Sequence, residues 1–202
     1  MANGKVCTGF SKPYVATYVN SNGTITYTGC IPLARGVEVS LDIETADDNN
    51  FYADNVLAES AAGTFTGGTV TLTVDGLKTA ARQLISGQVT TTSVTFTTGG
   101  TTSTVTVDVY DDNQITPYVG VGFVVRYMED GNTTYAPIVL RKCAFSQEGL
   151  DAATQEEEID FQTQELEASI MRDDSATHQW KWIAADQSTE AKAEAALKAM
   201  LT

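Results

Sequence analysis

Histidine and cysteine are scarce in this sequence of 202 residues, which has one histidine, His178, and three cysteines. Cys7, Cys30 and Cys143 are widely spaced and form no Cys-x-x-Cys pair, which argues against a zinc site or a disulfide framework. Three reduced and mostly buried thiols are expected instead. A lone histidine is far more often structural than catalytic. No metal and no cofactor are therefore expected.

Sequence motifs that carry catalysis are also missing. The sequence has no Gly-x-Ser-x-Gly elbow, no phosphate-binding glycine loop and no paired histidine ligands. The Asp and Asn clusters at residues 47–50 and 111–113 could bind calcium, but neither has the alternating spacing of a calcium loop. Turn chemistry explains both clusters better. The sequence therefore predicts a protein that is not an enzyme.

The sequence also lacks long apolar runs and has few basic residues. No stretch approaches the roughly 18 apolar residues of a membrane span, and residues 1–7 lack the apolar centre of a signal peptide, so assembly in cytosol is expected. Twelve Lys and Arg stand against 26 Asp and Glu, giving a formal net charge of −14. Such a surface repels phosphates, which argues against conventional DNA binding. The acids are densest in residues 148–174.

Thr, Val and Gly are abundant, and their arrangement predicts β-strands, because β-branched side chains suit a pleated surface. Hairpin turns are predicted at Ser21-Asn22-Gly23, Gly99-Gly100 and Gly131-Asn132. In residues 36–44, Val37, Val39, Leu41 and Ile43 alternate with polar residues, which indicates a half-buried strand. The predicted strands are 14–20, 24–28, 36–44, 68–74, 89–97, 104–110, 118–128, 134–145, an extended run at 158–171 and a last short strand in which Trp180 and Trp182 alternate.

Two helices are expected, and no linker or internal repeat divides the chain, which predicts one domain over residues 1–202. The first helix would begin at an Asp75 cap and stop at Gly87. Its apolar face consists of Leu77, Ala81, Leu84 and Ile85. The second, at about residues 188–201, is rich in Ala, Lys and Glu and has Ser188 or Thr189 as its cap.

Five segments, in order along nearly the whole chain, resemble the major tail protein (tail tube protein) family of long-tailed bacteriophages. They are the acidic and aromatic stretch at 47–55, Thr-Leu-Thr-Val-Asp-Gly-Leu at 71–77, Pro-Tyr-Val-Gly-Val-Gly-Phe at 117–123, the acidic run at 155–163, and Trp-Lys-Trp at 180–182. None of these motifs is chemically diagnostic alone. Their order and complete coverage carry the resemblance.

The resemblance implies a mainly β fold, a β-sandwich or barrel with one flanking α-helix, a C-terminal helix, an N-terminal arm and a long inter-strand loop at about 46–67. It further implies a homo-oligomer of stacked rings with six subunits each, which conducts double-stranded DNA without binding it specifically. A tape-measure protein and a tail terminator would be its partners. The protein would reside in the virion tail, with no membrane contact, after assembly in the cytoplasm of the bacterial host.

By the same resemblance, the long loop would contact the neighbouring ring through Phe51, Tyr52, Ala53, Asp54 and Asn55. Burial at such a contact explains two aromatics in a polar stretch, although packing on their own domain is the alternative. An anionic bore would let DNA slide without sticking. The acids expected to line the bore or cover the outer wall are Glu156, Glu157, Glu158, Asp160, Glu165 and Glu167.

Two other functions remain open at this point. A β-sandwich that decorates the virion or binds carbohydrate would need an exposed aromatic platform, for which Trp180 and Trp182 are the candidates. The inner tube of a bacterial contractile injection device would share the tail-tube fold but expel effector proteins.

Overall fold

The chain forms mainly antiparallel β-structure with two α-helices in the described residues. The structure is a computed structural model that describes residues 4–87, 90–147, 149, 152, 154 and 161–202. The strands are β1 (Val6–Ser21), β2 (Thr24–Pro32), β3 (Gly36–Thr45), β4 (Asn49–Ala53), β5 (Val56–Ala61), β6 (Phe65–Val74), β7 (Thr90–Thr98), β8 (Thr101–Val109), β9 (Val119–Glu129), β10 (Asn132–Phe145), β11 (Gln164–Met171) and β12 (Lys181–Ile183). The helices are α1 (Thr79–Ser86) and α2 (Glu190–Met200).

Eight of these strands form one large sheet in the order β2-β1-β9-β10-β11-β6-β3, with β12 beside β10. β10 pairs with β12 through Ile138–Leu140 and with β11 through Lys142–Phe145, so two strands share one of its edges. Hairpins β4–β5 and β7–β8 are separate two-stranded sheets. Among the described residues, neither hairpin pairs with a strand of the large sheet.

Four hairpins turn through two residues that both have positive φ. These turns are Asn22-Gly23, Asp54-Asn55, Gly99-Gly100 and Asp130-Gly131. Positive φ at both central positions defines the type I′ turn, whose twist matches that of the flanking strands. Two predicted turns are therefore confirmed, whereas the third lies at Asp130-Gly131 because Asn132 already belongs to β10.

Three predicted boundaries were wrong. The expected long loop at 46–67 is a hairpin, β4–β5, followed by the start of β6. α1 begins at Thr79, since the Asp75 carboxylate accepts a hydrogen bond from the Arg35 backbone N–H at 2.9 Å instead of capping the helix. In the extended run predicted at 158–171, β11 begins only at Gln164, and residues 158–160 lie outside the described part of the chain.

Other sequence predictions are confirmed. α1 buries Ala81 and Ile85 and stops at Gly87, and α2 is capped by Thr189, whose hydroxyl accepts the Lys192 N–H at 3.3 Å. All three cysteines are free. Only Cys143 is buried, however, and Cys7 is exposed because it lies in the outer part of β1.

The large sheet packs against an apolar cluster on each face. The main cluster combines buried residues from β1, β6, β9, β10 and β11 with Ala81 and Ile85 of α1. The smaller cluster combines Tyr14 and Tyr27 with Ala193, Leu197 and Leu201 at the C-terminal helix. One helix therefore covers part of each face, which leaves the hairpins as the parts that extend from the packed body.

α2 sits on β9 where two glycines remove side-chain bulk. A Cβ at Gly122 would lie 2.7 Å from the Leu197 Cδ1, and a Cβ at Gly120 would lie 2.5 Å from the Tyr27 ring. The helix is also held by Glu194, whose carboxylate pairs with Lys12 at 3.0 Å. These two glycines therefore make room for the Tyr27 ring and for the leucine side chains of the C-terminal helix on β9.

An ion pair between Arg141 of β10 and Asp173 lies inside the protein. The Arg141 Nε donates to the Asp173 carboxylate at 2.6 Å, and the two side chains are 4% and 0% exposed. Asp173 also accepts the Ser175 hydroxyl at 2.5 Å and the Gln179 backbone N–H at 2.9 Å. The pair thereby fixes the segment between β11 and β12 against the sheet.

Candidate assembly surfaces

The aromatic pair predicted for inter-ring contact lies on hairpin β4–β5 and is open to solvent. Phe51 is 64% and Tyr52 is 63% exposed. Val56 and Leu57 on the opposite strand are exposed as well. The alternative that the aromatics pack on their own domain is therefore wrong for this chain taken alone. The structure brings the predicted residues together on one hairpin but buries none of these aromatics.

The hairpin presents apolar side chains on both of its faces. Tyr52 stands opposite Leu57, and Ala53 stands opposite Val56. Because consecutive residue pairs alternate between the two faces, the pair Tyr52 and Leu57 projects opposite to the pair Ala53 and Val56, whereas the register shifts between Phe51 and Tyr52. The remaining predicted contact residues, Asp54 and Asn55, form the turn, with φ values of 51° and 64°. A surface that encloses this hairpin could cover apolar groups on either side.

The acids predicted for a bore or an outer wall divide into two groups. Glu165 and Glu167 lie on β11 and are exposed, on the face opposite the buried Leu166 and Ala168. Residues 156–158 and 160, which contain the other four predicted acids, lie outside the described residues.

Three acids that the sequence analysis did not select share the face of Glu165 and Glu167. The strand register aligns Glu165 with Thr73 of β6, and Thr73 with Glu38 of β3. Further along β3, Asp42 and Glu44 are exposed on the same side. None of the residues in β3, β6 and β11, which the structure describes completely, is Lys or Arg. We call this surface the acidic face and define it by Glu38, Asp42, Glu44, Glu165 and Glu167.

The alternation of apolar and polar residues in 36–44 could have predicted part of the acidic face. Val39, Leu41 and Ile43 pack against the main apolar cluster, as expected for a half-buried strand. The prediction was wrong for Val37, which is exposed where the register shifts between Gly36 and Glu38. The polar positions between them had to point outward. What the sequence did not show is that β6 joins β3 to β11, so that acids far apart in the chain become neighbours.

A second surface, on hairpin β7–β8, was also missed. The register places Val94 opposite Val105, and Phe96 opposite Ser103. Side-chain alternation puts Val94, Phe96 and Val105 on one face, together with Val107 and Val109. These five side chains are 37–47% exposed. The two strands had been predicted from their β-branched residues, but the two-sided character of the hairpin had not been recognised.

The opposite face of β7–β8 is made of hydroxyl-bearing side chains. Thr95 and Thr104 contact each other through their hydroxyls at 3.4 Å, and Thr97 and Thr102 do so at 3.1 Å. The base of the hairpin is attached to the protein body, since Gln83 of α1 donates to the Asp108 carboxylate at 2.9 Å. The hairpin therefore has one polar face, one apolar face and a fixed base.

The two tryptophans do not form an open platform. Trp180 stacks on Phe65 with ring centroids 4.5 Å apart and planes 1° apart. The Trp182 ring lies 3.7 Å from the Arg141 Cζ, and its indole N–H donates to Gln179 at 2.7 Å. Each indole therefore has a ring face occupied by a side chain of the same chain, which weakens the carbohydrate-binding alternative.

Of the polar clusters considered for calcium binding, the one at 111–113 makes a turn contact, whereas the one at 47–50 contacts the chain just after hairpin β4–β5. The Asp48 carboxylate accepts the Gly63 backbone N–H at 2.9 Å, and the Asp111 carboxylate accepts the Asn113 backbone N–H at 2.8 Å. Within the described ranges, no group of three or more His, Cys, Asp or Glu side chains is arranged to hold a metal ion. His178 adopts a φ of 50°, and its Nδ1 lies 3.3 Å from the Asp173 carbonyl oxygen.

Sequence comparison identifies no family for this chain. No family model matches the chain, and no curated protein matches its sequence. Among the helices in the described part of the chain, none combines the length and the apolar character that crossing a membrane requires. The geometry of the hairpins and of the acidic face is therefore the basis for the functional argument.

Proposed function

We propose that this chain is the structural subunit of a phage tail tube, in which stacked six-membered rings enclose a channel for double-stranded DNA. Resemblance to the major tail protein family suggested this function, and the mainly antiparallel β-structure is compatible with it. In this proposal the large sheet is the sandwich or barrel of the tail-tube fold. The protein performs no catalysis, and the assembled tube is its functional form.

The observation that carries the proposal is the exposed hairpin β4–β5. Four of its apolar side chains, Phe51, Tyr52, Val56 and Leu57, are more than half exposed. Leaving so much apolar surface in water costs free energy, at about 25 cal/mol for each Å². Contact with the neighbouring ring would bury these side chains. Because they point to both faces, the hairpin suits a cleft in the next ring better than a flat surface.

Ring formation would also use the ends of the large sheet. In the described structure β2 and β3 are the terminal strands, and each has one edge without a partner. Open edges invite pairing with another chain, and head-to-tail contacts around a ring consume them. About 24 strands, four from each of six subunits, at roughly 4.8 Å spacing and a tilt near 40° give a backbone diameter of about 45–50 Å. That diameter accommodates a DNA duplex after side chains are subtracted.

In this arrangement the acidic face lines the bore. Its carboxylates would repel the phosphates of passing DNA, so that the duplex would meet no binding sites along the tube. The threonines of β6 between the two acidic strands add polar, uncharged side chains. The bore would therefore conduct DNA during ejection without retaining it.

The first experiment tests the role of β4–β5. Replacing Phe51 and Tyr52 together by Ser should leave a folded subunit, because both side chains are exposed, but should prevent stacking into tubes. Negative-stain electron microscopy measures tube length, and circular dichroism measures folding. Ile115→Ser is the matched control, since Ile115 is 82% exposed and lies outside the hairpin. Tubes of normal length from the double variant would contradict the assigned contact.

The second experiment tests the acidic face. Glu165→Lys combined with Glu167→Lys should slow DNA ejection from otherwise intact virions, because lysines in the bore would bind phosphates. A control with the same change in charge, Asp112→Lys with Glu129→Lys, alters acids outside this face. Equal ejection rates for the two variants would show that the acidic face does not contact DNA. Absence of the protein from virion tails would refute the phage function and favour an injection device.

A further inference from the structure

We propose that the apolar face of hairpin β7–β8 is a second self-assembly surface, which docks on another copy of this chain. This inference rests on the proposed self-assembly but concerns a different hairpin from the predicted ring contact. The face consists of Val94, Phe96, Val105, Val107 and Val109.

The separation of the two faces indicates that one of them is covered in the assembled protein. Thr, Ser and Asp occupy every position of the polar face, whereas the other face carries four valines and one phenylalanine beside four threonines and one serine. A hairpin with all of its apolar side chains on one face is typical of strands with one buried and one solvated face. In the isolated chain the apolar face remains 37–47% exposed at each of its five side chains. No described residue covers this face further, which supports a cover supplied by another molecule.

Charge favours a second copy over other partners. Residues 90–109 contain one charged side chain, Asp108, in a chain with a net charge of −14. Copies of a strongly acidic chain repel one another, so they approach best through surfaces that bring no carboxylates together. A basic protein would instead favour the acidic face. An uncharged hairpin on an acidic subunit is thus well suited to contact the same subunit.

The available area defines what kind of self-contact this is. With about 150 Å² for each fully exposed side chain, five side chains at about two-fifths exposure present roughly 300 Å². A stable interface between two partners needs about 800 Å² on each side. The hairpin alone is too small for a stable dimer, but it can be one of several contacts in a repeating assembly.

The position of the hairpin supports a directed contact. Its base is held by the hydrogen bond between Gln83 and Asp108, while the turn Gly99-Gly100 is at the far end. Fully extended, nine residues span about 30 Å. The hairpin can therefore reach a neighbouring subunit while its orientation remains set by α1.

The test exchanges valine for threonine on the apolar face, which retains side-chain shape and β-propensity. The variant Val94→Thr, Val105→Thr, Val107→Thr should fold with an unchanged melting temperature, since these residues are already partly hydrated. It should raise the subunit concentration at which assembly begins by at least about tenfold. The reverse exchange on the polar face, Thr95→Val with Thr104→Val, is the control and should leave assembly unchanged. Sedimentation velocity measures both.

Hydrogen exchange provides a second measurement. Amides of residues 90–109 should exchange more slowly in the assembled wild type than in its dilute, unassembled form. If the triple Val→Thr variant assembled with the same concentration dependence as the wild type, the hairpin contact would be overturned. The tube proposal would remain intact. If the wild type formed small oligomers but no tubes, and the triple Val→Thr variant formed neither, the result would support the hairpin contact and count against the tube. A wild type that remains monomeric at every concentration would overturn both, and the apolar face would then belong to a contact with a different protein.

Discussion

Removing the buried carboxylate of Asp173 tests whether the internal ion pair organises the fold. In the variant Asp173→Asn, the Arg141 guanidinium would remain almost fully buried, with 4% of its side chain exposed, and would lose its counter-charge. The amide group would also replace one acceptor oxygen by a donor that faces other donors, Ser175 and Gln179. Uncompensated burial of one charge of a pair typically costs about 3–5 kcal/mol.

Urea denaturation followed by tryptophan fluorescence measures this loss. Trp182 reports directly on the site, because its ring lies 3.7 Å from the Arg141 Cζ. With a denaturant slope of about 2 kcal/mol/M, the midpoint should fall by roughly 1.5–2.5 M. The measurement is made on unassembled subunits, so that assembly does not add to the apparent stability.

The adjacent residue provides a matched control. Asp174 pairs with Lys142 at 2.9 Å, but its side chain is 42% exposed. Pairs of this kind contribute about 0–1 kcal/mol, so Asp174→Asn should shift the midpoint by less than about 0.5 M. Equal shifts for the two variants would refute the reasoning from burial.

The same pair predicts a dependence on pH. Burial of Asp173 opposes its ionisation, but hydrogen bonds from Ser175 and Arg141 outweigh burial and hold the pKa of the carboxyl below its ordinary value. A lowered pKa in the folded state stabilises the protein above the unfolded pKa, and the stabilisation disappears as the pH falls through the folded pKa. The difference between wild type and Asp173→Asn should therefore be full at pH 7 and shrink below about pH 4.

Three further predictions concern α2 and the cysteines. Hydrogen bonds from Lys198, Tyr14 and Lys12 lower the pKa of Glu194 to about 2. Glu194→Gln should therefore destabilise the protein at pH 7 by about 1–2 kcal/mol. Denaturation at several pH values should show this difference decreasing below pH 4.5 and vanishing near pH 2. Gly122→Ala should lower the free energy of unfolding by about 1–3 kcal/mol in urea denaturation, because the new methyl group would clash with α2. Gly9→Ala serves as the control, since a Cβ at Gly9 would make an ordinary contact at 3.9 Å. Burial raises the pKa of the Cys143 thiol, so a thiol reagent at pH 8 should modify exposed Cys7 readily and Cys143 only after unfolding.

Elements with one buried face could be predicted from the sequence. β9 and β10 concentrate apolar residues, most of which the structure buries. β3 alternates as expected at Val39, Leu41 and Ile43, which are half-buried, but Val37 was wrongly predicted to face the core and is 57% exposed. Turns containing Asn and Gly were equally informative, because these residues tolerate positive φ. The helix α2 was recognised with its Thr189 cap. In each case a local property of the chain agrees with its environment in the fold.

Hairpin β4–β5 could not be recognised in this way. Its strands are exposed on both faces, so burial imposes no alternation, and the polar residues at 47–50 indicated a loop. The turn Asp54-Asn55 contains no glycine, although both residues have positive φ. The selection of Phe51 and Tyr52 came from the resemblance and from their unusual polar surroundings.

The acidic face was inaccessible for a different reason. Glu38 and Glu165 become neighbours only because β6 pairs with β3 on one side and β11 on the other. Strand order of this kind depends on long-range contacts, and periodicity within a strand contains no information about it. The sequence showed an excess of acids but not which of them share a surface.

The two strands of hairpin β7–β8 were predicted correctly from their residue pattern. Their exposed apolar face, however, is explained only if a partner covers it. The hairpin's alternation of Thr with Val and Phe is typical of a half-buried strand, yet the apolar side remains exposed in this subunit. An isolated two-stranded hairpin is at best marginally stable in water, and an uncharged open edge promotes unwanted pairing. Both disadvantages disappear if the hairpin is covered in the assembled protein. The alternation is then explained by burial between copies of the chain, which is why the exchange of valine for threonine should affect assembly and leave folding unchanged.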